Sequence, residues 1–406
     1  MDVTRRDLLR ASSQSALLSM LPVAALAAPT FEDALPDGVR DGATLEALPG
    51  KKPLIKLSYR PPNYETPINY FDQLWTPNDA FFVRYHLAVI PEVDAKEWRL
   101  KIGGDGATTP FELTLDQLTK QFEQVEIPAV CMCSGNRRGL FQPHVPGVQW
   151  GHGAIGNAKW KGVRLKDVLA KAGVKKEAIE LRMDGADSAP LDKTPDFVKS
   201  IPLWKALDDS VLIATHMNGQ PLPHWNGYPA RIIVPGWTAT YWMKHITSLE
   251  LLTKPLDNFW MKTAYRIPQG KFPVVQRFLG QETEINAPIT EMLVNSLLTN
   301  ITNGQKVKVG QQVEIRGMAW DGGYGIRTVE ISSDGGTTWT PATLADDPGR
   351  FSFRPFNFRF QPKTSGKVVI VARATNKLGQ TQTTELIPNP SGYHHNVMHR
   401  VTLDVG

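Results

Sequence analysis

Near Asn286 the pattern of apolar residues changes, and this change limits what the chain can fold into. Before it, short strand-like and helix-like pieces alternate; after it, Val307 and Val309, Gln312 to Gly317, Thr328 to Ser332 and Val368 to Ala372 alternate or run apolar as strands do. At 406 residues the chain also exceeds the roughly 250 to 300 residues that one core usually organises, so two domains are expected. In the first, Trp160 to Ala172 places Leu165, Val168 and Leu169 at helical spacing and ends before Gly173. Val211-Leu212-Ile213 and Arg231-Ile232-Ile233-Val234 read as strands around the tight-turn pair Asn218-Gly219. In the second, Asp334-Gly335-Gly336 predicts a hairpin turn between Val329-Glu330-Ile331 and Trp339. The expected fold is a mixed α+β domain followed by an immunoglobulin-like β-sandwich. The boundaries are a leader over 1–27, a first domain over 28–285 and a second over 286–406.

Composition narrows the function classes. With 41% hydrophobic and 21% charged residues the chain is globular, neither a disordered scaffold nor a bundle of membrane spans. The excess of Lys and Arg over Asp and Glu is 45 − 40 = +5, and no basic block, zinc-finger spacing or RNA-binding motif gathers it into a stripe. Nucleic acid is therefore not an expected partner.

The first residues read as an address. Thr4-Arg5-Arg6-Asp7-Leu8-Leu9 is a charged start, Ala16 to Leu26 is mostly apolar but too short to span a membrane comfortably, and Ala25-Leu26-Ala27 has the small-x-small pattern of a cleavage site. The paired Arg5-Arg6 fits the twin-arginine type, which exports proteins already folded around a cofactor. A periplasmic cofactor enzyme with no membrane span in the mature chain is the expectation.

Several familiar chemistries lack their residues. Gly151-His152-Gly153-Ala154-Ile155-Gly156 fits G-x-G-x-x-G, but without a clear strand before it or a helix opening on it. G-x-S-x-G is absent, as is C-x-x-C-H, so the sequence has no c-type haem attachment motif. His394, His395 and His399 have a spacing that zinc or copper would accept, although such clusters are more often interface residues.

The two cysteines, Cys131 and Cys133, are too close along the chain for a relaxed disulfide. Cys133 opens the run Cys133-Ser134-Gly135-Asn136-Arg137-Arg138, some fifty residues after Phe82-Val83-Arg84-Tyr85-His86. A thiolate is a soft ligand for a thiophilic metal, and arginines beside it lower its pKa and match tetrahedral oxyanions. The same run also fits a buried core thiol next to surface arginines. Cys131 is read as structural.

The run Cys-x-Gly-Asn-Arg-Arg resembles the molybdenum-ligand motif of the sulfite oxidase family. The resemblance continues through Val148-Gln149-Trp150, Asp184-Gly185-Ala186-Asp187-Ser188, Met217 to Pro223, Gly227-Tyr228-Pro229-Ala230-Arg231, Val234-Pro235-Gly236 and Lys244. Gly317-Met318-Ala319-Trp320 with Ile326 to Trp339 resembles the dimerisation domain of that family. Within the family, the leader and the absent haem motif point toward the catalytic subunit of bacterial periplasmic sulfite dehydrogenases. The resemblance implies that Cys133 ligates molybdenum carried by one molybdopterin, with oxo groups completing the centre. Val83, Arg84, Tyr85, His86, Asp187, Asn226, Arg231 and Lys244 would hold the cofactor. Arg84, Arg138, Trp150 and Tyr265 would surround the substrate anion, with Arg84, Arg138, Tyr265 and His86 taking part in catalysis. Two positions depart from the pattern: Asn226 stands where the family commonly has histidine, and Ser391 where animal enzymes carry a further substrate arginine. The implied reaction is oxidation of sulfite to sulfate, with electrons leaving singly to a c-type cytochrome that is either a subunit or a transient acceptor. A homodimer or a heterodimer is implied by the second domain. The alternatives are a molybdoenzyme reducing sulfoxides, as methionine sulfoxide reductases do, and a non-enzymatic periplasmic binding module.

Overall fold

The computed structural model describes residues 44–272 and 283–406. The expected leader over 1–27 lies outside them, as do 28–43 and 273–282 of the expected first domain. Strands dominate. The α-helices among the described residues are Leu115–Gln121, Leu165–Ala172, Leu203–Ala206 and Phe259–Lys262, so the first region is richer in strand than a mixed α+β reading suggests.

The principal sheet of the first region runs Gln220–Pro221, Leu212–Met217, Ile155–Arg164, Gln124–Met132. Its long central pair is antiparallel from Gln124↔Val163 to Met132↔Ile155. Residues 160–164, expected to begin a helix, instead continue this strand. The reason is a period of two: Trp160 and Gly162 point inward while Lys159 and Lys161 point to solvent. The helix begins at Leu165, buries Leu165, Val168, Leu169 and Ala172, and ends on Gly173. Asn218 and Gly219, at φ 50° and 77°, form the expected turn. The strand this turn leads into is only Gln220–Pro221, while Arg231–Ile233 pairs separately along Leu212 to Ala214. A second five-stranded sheet runs Lys199–Pro202, Glu180–Gly185, Ile246–Leu252, Arg99–Gly103, Phe111–Thr114, and a four-stranded sheet carries Val83–Arg84 at its edge.

After Asn286 the chain forms two facing sheets. One contains Asn295–Leu298, Val313–Trp320, Arg354–Phe360 and Thr343–Leu344; the other contains Gln305–Val307, His399–Val405, Gly366–Asn376, Ile326–Ser332 and Thr340–Pro341. Their inner faces meet in one apolar core that includes Leu298, Ile315, Phe356, Val329, Ile370 and Leu403. Alternation sets the faces: in His399–Val405 every second residue from His399 is buried. The Asp334-Gly335-Gly336 turn lies between Ile326–Ser332 and its partner Thr340–Pro341, as expected.

The two regions share a further apolar cluster, in which Ile68, Phe71, Val130 and Met132 meet Leu297, Met318, Trp320 and Phe353. Burial of each such side chain contributes roughly 1.5–3 kcal/mol. Polar ties cross the same boundary: Arg316 donates to both carboxylate oxygens of Asp72 at 3.0 and 2.6 Å, and Asn157 Nδ2 donates to Ser352 Oγ at 2.8 Å. Arg137, next to the cysteine motif, donates to Asn295 Oδ1 at 2.8 Å, Ser296 O at 2.9 Å and Val397 O at 3.2 Å. Among the described residues no helix is long and apolar enough to cross a membrane.

Candidate active site

Strand ends of the first region converge on one cavity. Cys133 follows Gln124–Met132, Arg84 ends Val83–Arg84, Asp187 follows Glu180–Gly185, Arg231 opens Arg231–Ile233, Lys244 precedes Ile246–Leu252 and Tyr265 precedes Arg266–Pro268. Rigid strands thus aim side chains that their loops deliver. The cavity wall includes Arg84, Tyr85, His86, Cys133, Asp187, Asn226, Arg231, Lys244 and Tyr265, nine of the residues singled out from the sequence. Val83 lies behind it, fully buried and paired with Tyr64. Arg138 and Trp150 are not on the wall. Arg138 is buried beside it, donating from Nε to Ser391 O at 2.7 Å and from Nη1 to Val148 O at 3.2 Å. Trp150 is fully buried with its ring edge-on to Phe82. Ser391 meets Arg138 through its backbone carbonyl.

A tight turn presents Cys133. Its N–H donates to Ala154 O and its carbonyl accepts from Asn136 N–H, each at 2.9 Å, while Asn136 Oδ1 accepts from Ala154 N–H at 3.0 Å. Glu65 braces the opposite loop: its carboxylate accepts from Gly151 N–H at 2.7 Å and Gly153 N–H at 2.8 Å. The first two glycines of the G-x-G-x-x-G run therefore serve a buried carboxylate, and Gly156 lies within a strand. Cys131 and Cys133 are both buried and unbridged, and Cys131 joins Cys133 on the cavity wall because residues two apart on a strand share a face. Burial pushes the Cys131 thiol up to about 11, against the pull of Arg231.

The electrostatics of the wall are lopsided. Arg84, Arg231 and Lys244 face a single carboxylate, Asp187. Burial depresses Arg231 and, with Arg231 as a like charge, holds Lys244 well below the usual lysine range. Burial also raises Asp187 to about 6 despite Lys244. Lys244 Nζ donates to Arg84 O at 2.6 Å, and Arg231 donates to Asn226 O at 3.0 Å and Trp242 O at 3.1 Å. Carbonyls thus hold these cations in place without neutralising them. Ser134 Oγ and Thr240 Oγ1, also on the wall, are buried without a hydrogen-bond partner among the described residues. Surplus positive charge, unsatisfied hydroxyls and a thiol on one wall fit a polyanionic group that carries a thiophilic metal. Molybdenum on a phosphate-bearing pterin is such a group.

His86 and Tyr265 meet through Nε2 and the phenol oxygen. His86 stacks on Phe197 with centroids 3.5 Å apart. Burial, then Arg84, Lys244 and Lys199, hold its imidazole well below the ordinary value, and burial raises the Tyr265 phenol against the pull of Arg84. The pair is therefore a protonated phenol beside an uncharged imidazole.

Two lysines at the site carry no signal in the sequence. Lys51 is buried and donates to Asn78 O at 2.6 Å, Phe81 O at 3.0 Å and Asn226 Oδ1 at 2.6 Å; burial lowers it to about 7. Asn226 thus meets the cavity with a buried amine behind it. Lys199 is also buried, donates to Trp260 O at 2.7 Å and lies over the rings of Tyr241 and Tyr265. The histidines near the C-terminus do not converge on a metal. Among the described residues there is no metal-holding cluster of His, Cys, Asp and Glu. His399 Nδ1 accepts from Leu298 N–H at 3.1 Å, and His395 packs edge-on to Phe141.

Residues 86–260 match the family described as "Oxidoreductase molybdopterin binding domain", and residues 286–406 match "Mo-co oxidoreductase dimerisation domain". Mitochondrial sulfite oxidase of Rattus norvegicus is 32% identical over an alignment of 373 positions that covers 88% of this chain and 67% of that protein. Sulfite oxidase of Arabidopsis thaliana is 28% identical, the alignment covering 91% of this chain and 98% of that one. Among solved structures, the sulfane dehydrogenase SoxCD from Paracoccus pantotrophus aligns with a TM-score of 0.72 at 26% identity, over 86% of this chain and 88% of that chain. The chain belongs to the sulfite oxidase family of molybdopterin oxidoreductases.

Proposed function

We propose that this chain oxidises sulfite to sulfate: sulfite and water give sulfate, two protons and two electrons. The observation that carries the reading is the convergence of Cys133, Arg84, Tyr265 and His86 on one cation-lined cavity. Cys133 would hold the molybdenum through sulfur, and Arg231, Lys244, Asp187, Asn226 and the Val83 to His86 segment would hold the pterin and its phosphate. When bound, the cofactor supplies a two-electron acceptor and a transferable oxygen.

The protein's own contribution is to hold and orient a small dianion. Arg84 lies on the wall and Arg138 directly beside it. Arg138 gives two of its donors to the carbonyls of Ser391 and Val148, which fixes the plane of the guanidinium and leaves its other N–H groups for an oxyanion. Trp150 packs behind Phe82 and helps to exclude water from that side. Prepositioned donors in a buried site stabilise charge that builds on the substrate oxygens without reorganising as it does so. The Tyr265 phenol is a neutral donor to an oxyanion or to water, and His86 accepts or returns its proton.

Electrons would leave one at a time to a c-type cytochrome, a partner suggested by the lack of a haem attachment motif in the sequence. Export to the periplasm is supported by Arg5-Arg6 and the apolar run behind them. A dimer, with a second copy or with the cytochrome, is supported by the match of residues 286–406 to a dimerisation domain. We read the division at Asn286 as the boundary of an immunoglobulin-like domain.

Molybdenum-loaded protein should reduce cytochrome c only when sulfite is added; absence of that activity overturns the reading. Sulfoxide reduction in its place favours the reductase alternative. Protein that takes up no molybdenum in a pterin-competent host favours a binding module. The likeness to a sulfane dehydrogenase supports a second reading, in which the reductant is a sulfane sulfur, and turnover with persulfide but not sulfite would favour it.

A further inference from the structure

Arg138 and Tyr265 are far apart in sequence, and both touch Tyr393. The rings of Tyr265 and Tyr393 are nearly parallel, with centroids 5.6 Å apart and planes 14° apart. The Arg138 guanidinium carbon lies 5.1 Å from the Tyr393 centroid, within cation–π range. Tyr393 is buried, and a single amide fixes its backbone on both sides: Asn389 Oδ1 accepts from Tyr393 N–H at 3.0 Å, and Asn389 Nδ2 donates to Tyr393 O at 2.9 Å.

The residues just before Tyr393 also serve Arg138. Ser391 O accepts from Arg138 Nε, and Gly392 at φ 60° passes so close that an added Cβ would lie 2.7 Å from Arg138 Cγ. Ser391 to Tyr393 thus offers Arg138 a carbonyl and an aromatic face, but no charge. Tyr265 itself holds φ 58°, a conformation that a residue with a side chain keeps only when its surroundings enforce it. Tyr393 lies against this residue twice, through the stacked ring and through its hydroxyl on the Tyr265 backbone.

We propose that Tyr393, supplied from the C-terminal side of Asn286, is a positioning residue that keeps the Arg138 guanidinium and the Tyr265 phenol at the spacing a dianion requires. The inference rests on the reading of this site as an oxyanion site. It predicts that the aromatic ring matters more than the hydroxyl, which reaches the Tyr265 backbone.

The test compares Tyr393→Leu with Tyr393→Phe in cofactor-loaded protein, reading sulfite KM and kcat, and sulfate affinity by calorimetry. Tyr393→Leu should raise the sulfite KM and weaken sulfate binding about tenfold each, equivalent to about 1.4 kcal/mol, with any fall in kcat smaller than the rise in KM and molybdenum content unchanged. Tyr393→Phe should lose less, about threefold at most, since it keeps the ring and gives up only the hydroxyl's contact with the Tyr265 backbone. Equal losses in both variants, or no loss in Tyr393→Leu, overturn the positioning role while leaving wild-type turnover intact. If Tyr393→Leu does not fold, Tyr393→His and Tyr393→Met decide on the same readouts, the former expected to retain binding and the latter to lose it. Wild-type protein that neither oxidises sulfite nor binds sulfate removes the oxyanion reading, and this inference with it.

Discussion

The two halves of this molecule differ in where positive charge sits: among the described residues, buried lysine and arginine side chains fall in the first half alone. In the sandwich, cations stay partly in water beside a carboxylate: Arg373 donates to Glu330 Oε2 at 3.1 and 2.8 Å, with both side chains nearly a third exposed. In the first half, Lys51, Lys199, Arg231 and Lys244 are withdrawn from water and meet mainly carbonyls, amides and aromatic faces. A fold with no anionic ligand to hold gains nothing from this second arrangement, because desolvating a charge is costly unless a counter-charge arrives. An anion bound in the cavity that Arg231 and Lys244 line would supply that counter-charge.

Four measurements probe that contrast, in order of decreasing effect. Cys133→Ser replaces a soft donor with a hard one, so sulfite-dependent turnover should fall about a hundredfold or more. The fold, followed by circular dichroism, should be retained, because the oxygen is no larger than the sulfur it replaces. Near-normal turnover would detach the buried charge from any metal at this thiol. Arg138→Gln should raise the sulfite KM about tenfold, from the loss of charge-assisted hydrogen bonds worth roughly 1.5–3 kcal/mol. An unchanged KM would move the substrate away from this guanidinium.

The third measurement concerns pH. Lys51 sits near 7 in the folded protein against an ordinary value of 10.5, so between these values the unfolded chain binds the extra proton. Its contribution to stability is therefore complete above about 10.5 and is lost as pH falls toward 7, with a slope of at most about 1.4 kcal/mol per pH unit. Lys51→Met should flatten the rise in unfolding free energy between about pH 7.5 and 9.5 relative to the parent, read by denaturant titration of cofactor-free protein. A parallel rise in both proteins would mean that the amine is not desolvated. The fourth is the control from the other half: Glu330→Gln should cost less than about 1 kcal/mol, as exposed pairs do. A larger cost would erase the distinction between the halves.

Much of the candidate site is legible in the sequence because it rests on local runs. Cys133 to Arg138, Arg84 to His86 and Gly227 to Arg231 each lie at a strand end or a turn, so short motifs carry them to the cavity. The β-sandwich is legible for a similar reason, since alternation along strands such as His399–Val405 is a local pattern. Residues 160–164 mislead because Leu165, Val168 and Leu169 continue a helical period backward into a stretch where Trp160 and Gly162 already obey a strand period. Lys51 and Lys199 are invisible for a different reason. A lysine in a polar neighbourhood of sequence reads as a surface charge, and only contacts 175 residues away, as between Lys51 and Asn226, reveal that it is buried. Cys131 reads as structural, although the two-residue period that places Cys133 on the wall places its neighbour there as well.

Arg137 sits four residues past the candidate metal-binding thiol, and its guanidinium is fastened to the far half of the chain at Asn295, Ser296 and Val397. The two halves are thereby tied together at the very loop that carries the sulfur. Any partner that tugs on the C-terminal half pulls, through one side chain, on the loop that carries Cys133.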